Sequence, residues 1–359
     1  MAVFQGYNQE YVDAAASRQM LVFSSQISAN PQKFYVRNAP YAWGFWADVE
    51  HWSEVYASYI CQKVAPYKVA HSGSTGGAGS YNGRDRKFGL FFTSDPGQPG
   101  LHLFRDQVKK KLTKCGVTWA AEGTFPESGF VINNRDAGDE QAAAIAAFRQ
   151  AEVTTVLYLG GVEGKFSHAA QKVGYFPEII VAGDGRNDDA ADSTFQDQEV
   201  WKNAWVVSAN LREDRHEERP GYKAAKFADP TIDEDAAGYA ASLYYDFFML
   251  FQGIQVSGPN LNPQKIDQGF HAIPSKSSDD PYIAACFFDP NDYTCVKDST
   301  ELWWDPTGAR EGSSRLGCWR MVRGATRYLA WKWEGKDDVF RNRSDACHGR
   351  GGNYQQRTA

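Results

Sequence analysis

Four short stretches of this sequence hold the residue types that can grip a small charged molecule. They are Ser24-Ser25-Gln26, Ser94-Asp95-Pro96-Gly97-Gln98, Gly160-Gly161-Val162-Glu163 and Gly183-Asp184-Gly185. Small hydroxyls and backbone N–H groups suit a carboxylate, and an acidic side chain suits an ammonium, so the set fits a zwitterionic solute. Taken singly, each residue could equally close a turn or cap a helix. Other chemistry is poorly supported. The Gly73–Gly79 loop lacks Gly-Lys-Ser/Thr and is followed by a strand rather than a helix, so it reads as a flexible surface insertion and not as a phosphate cradle. There is no Gly-x-Ser-x-Gly elbow. The 7 histidines are scattered, without a His-x-x-x-His pair. The acid-rich stretch from Asp184 to Asp197 lacks the alternating spacing of a calcium loop. No metal, cofactor or enzymatic activity is expected.

The elements that must position those loops come from periodicity. Residues 9–19 read as a helix, Met20–Phe23 as a strand, and Asp48 can cap a helix running to about Gln62. Phe88–Thr93 is a strand, and Leu101–Lys114 an amphipathic helix with Leu101, Phe104, Val108 and Leu112 on one side and Gly116 as its stop. Val117–Ala121 is a strand, Asp139–Ala151 a helix, Val153–Leu159 a strand, Lys165–Val173 a helix and Glu178–Ala182 a strand. A further helix to about Asn203 leads to the strand Trp205–Ala209. This alternation predicts βαβ units and a parallel sheet, whose ligands bind beyond the carboxyl ends of the strands, where the four stretches lie. A long helix is expected over Asp235–Ile254 with Tyr239, Leu243, Phe247, Leu250 and Ile254 on its apolar face, and a short one after Asn262-Pro263.

After Pro274 the texture changes. Residues 275–333 mix strand-like runs with turns, and Trp303-Trp304-Asp305-Pro306 and Gly317-Cys318-Trp319-Arg320 read as packing of a C-terminal extension. Residues 334–359 are polar and expected to be disordered.

At 359 residues, 42% hydrophobic and 23% charged, the chain is long enough for two lobes with their own cores. A net charge of −6 argues against a nucleic-acid partner. No apolar run is long enough for a membrane helix, and Met1–Gly6 shows no secretion signal. The 6 cysteines include no Cys-x-x-Cys pair and suit disulfides in an oxidising compartment. Cys286 and Cys295 flank the turn Asp289-Pro290-Asn291-Asp292 and could staple a hairpin; the pairing is otherwise open.

The order of elements resembles the type I periplasmic solute-binding proteins of the branched-chain amino-acid transport kind. The resemblance is carried by Arg18–Ser25, Arg86–Gly116, Thr154–Gly161, Gly174–Gly185, and Gly238–Phe251 with Gly258-Pro259-Asn260-Leu261 after it, over residues 1 to about 275. It implies an α/β fold of two doubly wound lobes with parallel sheets joined by a multi-strand hinge, closing on a solute. Lobe 1 would comprise 1–40 and 210–275, lobe 2 would be 41–209, and 276–333 an extension with the hinge return. A first crossover is expected near Phe34–Trp46 and a second near Ala209–Arg215. The family's opening βα units and secretion signal are missing from this implied layout, so lobe 1 is expected to be short. By position, Ser24, Ser25 and Gln26 would hold a ligand carboxylate and Asp184 its amine. Asp95, Gln98, Gly161 and Glu163 would add second-lobe contacts, and Tyr239 a wall. The implied function is a monomeric, extracytoplasmic receptor that passes an amino-acid-like or amide ligand to an ABC transporter permease. A sensory module of the same fold is the alternative, and an α/β enzyme a more distant one.

Overall fold

Apolar runs that alternate with amphipathic stretches can bury both by laying helices over a parallel sheet. In a computed structural model the protein does so in two units. The structure describes residues 2–4, 9–24, 30–75, 79–126, 139–159, 165–183, 185, 187–212, 216–310, 315–334 and 346–348. One unit comprises Met1–Ser53 and Arg215–Asp298, the other Glu54–Asp214 and Ser299–Ala359, so the chain passes between them three times. The first passage lies at 53/54 rather than within Phe34–Trp46, because the strand at 42–44 pairs inside the first unit. Residues 276–333 are not one extension: 276–298 belong to the first unit and the rest to the second.

The first unit opens with β1 (Ala2–Phe4), α1 (Gln9–Ala16), β2 (Leu21–Ser24), α2 (Gln32–Arg37) and β3 (Ala42–Gly44). The three strands form a parallel sheet in the order β1-β2-β3. Phe23 of β2 and Trp43 of β3 are buried, and Trp43 lies 4.5 Å from the Phe270 ring and 5.2 Å from Phe288. Next, α3 (Val49–Tyr59) carries the chain across and ends in a π-helical turn, Ile60–Val64.

In the second unit a small hairpin, β4 (Ser74–Thr75) and β5 (Gly79–Ser80), precedes β6 (Phe88–Thr93), α4 (Pro99–Lys114), β7 (Trp119–Phe125), α5 (Asp139–Gln150) and β8 (Thr155–Leu159). Then follow α6 (Lys165–Lys172), β9 (Glu178–Ala182), α7 (Ala190–Ser193), α8 (Gln198–Trp201) and β10 (Ala204–Ser208). The hairpin corrects the flexible-loop expectation for its described residues. Ser72 Oγ stands 2.9 Å from Ser80 Oγ and accepts the Tyr81 N–H at 2.8 Å, while the Gly73 N–H donates to the Phe176 carbonyl at 3.0 Å. At Gly123 of β7 an added Cβ would sit 2.4 Å from Ala144 Cβ, so α5 rests directly on that strand.

The chain returns to the first unit for α9 (Pro220–Ala228), α10 (Glu234–Ser257) and α11 (Pro263–Phe270), the last starting at Pro263 as its sequence predicts, with Asn262 as its cap. It ends in the second unit with β11 (Asp298–Ala309), β12 (Leu316–Met321) and β13 (Tyr328–Leu329). The large sheet runs β12-β11-β10-β9-β8-β6-β7, with β13 on β11. It is parallel from β7 to β10 and antiparallel beyond. The tryptophans read as extension packing are therefore core: Trp304 and Trp319 lie in the same cluster as Tyr158, Ile179 and Trp201. Tyr282–Phe288 is not a strand; Cys286 makes a single bridge to Val296.

Three disulfides close the cysteine pairs Cys61–Cys115, Cys286–Cys295 and Cys318–Cys347. Of the expected disordered tail, Ala346–His348 is ordered, with Cys347 bonded to Cys318 and the His348 N–H donating to the Trp319 carbonyl at 2.7 Å. Most of the remainder lies outside the described residues. Among the described residues no helix is long and apolar enough to cross a membrane.

Among the described residues, two buried charge pairs stand in the second unit. Arg86 meets Glu178 through Nε at 2.9 Å and Nη2 at 3.1 Å, and its Nη1 donates to the Val64 and Tyr67 carbonyls at 2.6 and 2.5 Å. Glu178 also accepts from the Ala70 and His71 N–H groups and from the Thr155 hydroxyl. Lys63, in the π-helical turn, lies 2.6 Å from Glu301 of β11.

Candidate functional site

In a parallel sheet the strand carboxyl ends present loops whose N–H groups and side chains are not consumed by the ladder. In the second unit β6 ends at buried Thr93, whose Oγ1 accepts the Asp95 N–H at 3.1 Å. Ser94 Oγ lies 3.0 Å from both the Phe125 carbonyl and Glu140 Oε2, tying β6 to β7 and α5. Asp95 Oδ1 accepts the Gly97 N–H at 2.8 Å, and its carbonyl faces the His102 ring at 2.7 Å. One carboxylate oxygen of Asp95 is thus committed to the turn. Gln98 precedes α4, and its side chain makes no cap bond to that helix.

The end of β9 is more heavily built. Buried Asp188 accepts the Gly185 N–H through Oδ1 at 2.7 Å and the Ser208 hydroxyl through Oδ2 at 2.5 Å. Asn187 donates to the Ala182 carbonyl at 3.0 Å. A Cβ at Gly183 would come within 2.5 Å of Asp188 Oδ2 and 2.9 Å of the Val207 carbonyl, so only glycine fits there. This frame brackets Asp184, which itself lies outside the described residues, as do Gly161 and Glu163. Asp188, Asn187 and Ser208 are missing from the residues chosen on sequence. The signal for Asp188 is its position five residues after the loop's first glycine, but nothing in the sequence separates it from the neighbouring acids.

In the first unit Ser24 ends β2, opposite Gly44, and is buried, with its carbonyl accepting the Phe45 N–H at 2.7 Å. Ser25 and Gln26 lie outside the described residues. Tyr239 falls in α10, and its side chain is likewise outside them. Ser24 thus stands in the first unit, and Asp95 and Gln98 in the second.

The first unit also contains an ion cluster that sequence reasoning recognised only at its cap. Asp48 Oδ1 accepts the His51 N–H at 2.8 Å, as an N-cap of α3 should. Imidazole Nδ1 lies 3.4 Å from Asp48, and Nε2 lies 4.0 Å from Asp292 Oδ2. The Lys297 ammonium sits 2.7 Å from that same Asp292 oxygen, and the Thr294 hydroxyl lies within 3.3 Å of both carboxylates. Asp48, His51 and Asp292 could in principle ligate a metal ion. However, the two ring nitrogens face different carboxylates, and the Lys297 ammonium already neutralises one, so the donors fit an internal ion cluster better than a metal site.

Burial opposes ionisation of Asp48, yet the hydrogen bond and charge of His51 and the Lys297 charge outweigh it and hold the carboxyl below its ordinary value of 3.8. A carboxylate with a lowered folded-state pKa adds stability at neutral pH, which is lost as pH falls below about 3.8. Asp48→Asn is expected to lower stability by about 1–2 kcal/mol at pH 7 and to flatten the acid limb of a stability–pH curve measured by urea unfolding.

No family model matches the chain, and no curated protein matches it. Solved structures do. A branched-chain amino-acid ABC transporter periplasmic ligand-binding protein from Burkholderia xenovorans is 13% identical with a TM-score of 0.58, over 92% of this chain and 77% of the other. The fold is that of the type I periplasmic binding proteins. A branched-chain amino-acid ABC transporter protein from Thermus thermophilus, solved with bound valine, has this type I fold too, at 11% identity and a TM-score of 0.54 over 84% of this chain and 74% of the other. So does a solute-binding protein from R. palustris in complex with 4-hydroxybenzoate, at 11% identity and 0.56 over 92% and 78%. These type I neighbours are solute-binding proteins, and their likeness to this chain is one of fold.

Proposed function

We propose that this protein is a non-enzymatic solute receptor of an ABC transporter, capturing a small amino-acid-like or amide ligand and handing it to a membrane permease. The observation that carries the reading is the type I fold combined with hydroxyl, amide and carboxylate groups at the strand carboxyl ends. Ser24 with Ser25 and Gln26 would receive a carboxylate, and Asp184, bracketed by the Gly183–Asp188 frame, an ammonium. Asp95, Gln98, Gly161, Glu163 and Tyr239 would complete the contacts. Valine and 4-hydroxybenzoate, held by two of the neighbours, share a carboxylate, which supports an acid-bearing ligand. Closure around the solute would strengthen such contacts by removing water. Three disulfides favour an oxidising, extracytoplasmic setting, and a monomer is sufficient for this role.

Thermal melts against amino acids, amides, short peptides, polyamines and 4-hydroxybenzoate test the reading. A ligand at a hundred times its Kd adds about 2.7 kcal/mol, a shift of roughly 3–5 °C for a protein of this size. Amino acids are expected to raise Tm in the native protein and to lose that effect in Asp184→Asn, whereas a ligand lacking an amine keeps its shift. A sharp melt that no compound moves would overturn the receptor reading.

A further inference from the structure

We propose that the Cys61–Cys115 disulfide is a thiol–disulfide exchange site, the bond of the three that a dithiol reductant opens while the protein stays folded. Cys115 is solvent-exposed and Cys61 half-buried. The other two bonds each have a sulfur partner with no exposure, Cys295 and Cys318. Exchange needs a thiolate to approach one sulfur along the S–S axis, so access decides which bond reacts. Here access is provided by a groove of about 210 Å³ lined by Cys61, Ala65, Pro66, Arg86, Cys115 and Val117, all within the second unit. Lys114, next to Cys115 in the last turn of α4, adds a positive charge that favours an incoming thiolate and stabilises a departing one, whereas Lys111 is paired with Glu54.

The step balances. A reagent thiolate attacks Cys115 Sγ, the S–S bond breaks, and its electron pair leaves on Cys61 Sγ as a thiolate. The reagent's second thiol, deprotonated, attacks the reagent sulfur of the mixed disulfide and expels the Cys115 thiolate. The dithiol is oxidised to its cyclic disulfide, and the cystine is reduced by two electrons to two thiols. Opening the bond frees the π-helical turn Ile60–Val64, where the Ala65 N–H closes on the Ile60 carbonyl at 2.8 Å, from the end of α4.

The test is reduction of the full native chain with dithiothreitol, acid quench, alkylation and peptide mass spectrometry over time. Cys61 and Cys115 are expected to label at least about tenfold faster than the other four cysteines. Hydrogen exchange at amides 60–65 should rise on reduction while β8 and β9 stay protected. Labelling of another pair first, or of all three at one rate, would overturn the proposal. Unchanged exchange at 60–65 after selective reduction would overturn the release of the turn. The variant C61S/C115S provides a second reading: its two remaining bonds should keep their slow rates.

Discussion

Glu178→Ala is expected to lower the stability of the second unit by about 3–5 kcal/mol, the range found when one partner of a buried ion pair is removed. Both charges are fully enclosed, so the remaining Arg86 guanidinium would have no water to replace the carboxylate. The loss does not stop there. The Ala70 and His71 N–H groups and the Thr155 hydroxyl all donate to Glu178 and would be left unsatisfied. For the same reason the apolar double replacement R86M/E178L should not restore stability, because the Val64 and Tyr67 carbonyls would lose the guanidinium as well. Urea unfolding of both variants checks this, and recovery of the native midpoint in the double variant would show that the surrounding hydrogen bonds matter little.

The Lys63–Glu301 pair should behave in the opposite way. Its two charges face each other at 2.6 Å and are equally buried, but among the described residues no comparable shell of backbone donors and acceptors surrounds them. Burial pushes the Glu301 carboxyl above its ordinary value of 4.5, against the pull of the Lys63 charge. With a raised folded-state pKa, the folded protein binds a proton that the unfolded chain has released, so stability falls as pH rises from about 4.5 through the folded-state pKa. Glu301→Leu alone should cost about 3–5 kcal/mol by stranding Lys63. The double variant K63M/E301L should instead match or exceed the native protein by up to about 4 kcal/mol and lose that part of the pH slope. Unfolding curves between pH 4 and 8 measure both; a double variant as unstable as the single would overturn the contrast.

The contrast between the pairs also shows where sequence reading ends. Glu178 stands first in an apolar run and Arg86 just before another, and nothing local says that two strand starts will meet beside the π-helical turn that follows α3. The strands themselves were legible because β8 and β9 are apolar on both faces, and α4 because its apolar side repeats cleanly. α10 was legible as a helix but not in its orientation. It is apolar almost all round, and the buried side is Ala237, Asp246 and Met249, leaving Phe247 half-exposed and Phe251 at 62%. The expected face at Phe247 was therefore wrong, because a helix with so little polar surface has no sharp stripe to read. β12 falls in a strand-like run, but β11 carries no strand signal beyond its tryptophans and both read as an extension, since antiparallel pairing onto β10 depends on a chain return that no local pattern announces. At the site, strand ends marked the right loops, while the residues that brace them, such as Asp188, depend on contacts between strands.

The position of β11 has a consequence for synthesis. β10 is a finished strand with Trp205 and Val206 ready to pair, yet its antiparallel neighbour emerges only after Ala209 to Lys297 has been made. Until then the growing chain carries an open, apolar sheet edge, the kind that invites pairing with a foreign strand. The last residue of the first unit is Asp298, so that unit can fold on the ribosome while the second, most of whose sheet is made before residue 215, still awaits its last strands. The interval between the making of β10 and that of β11 is when this protein is most in need of a chaperone.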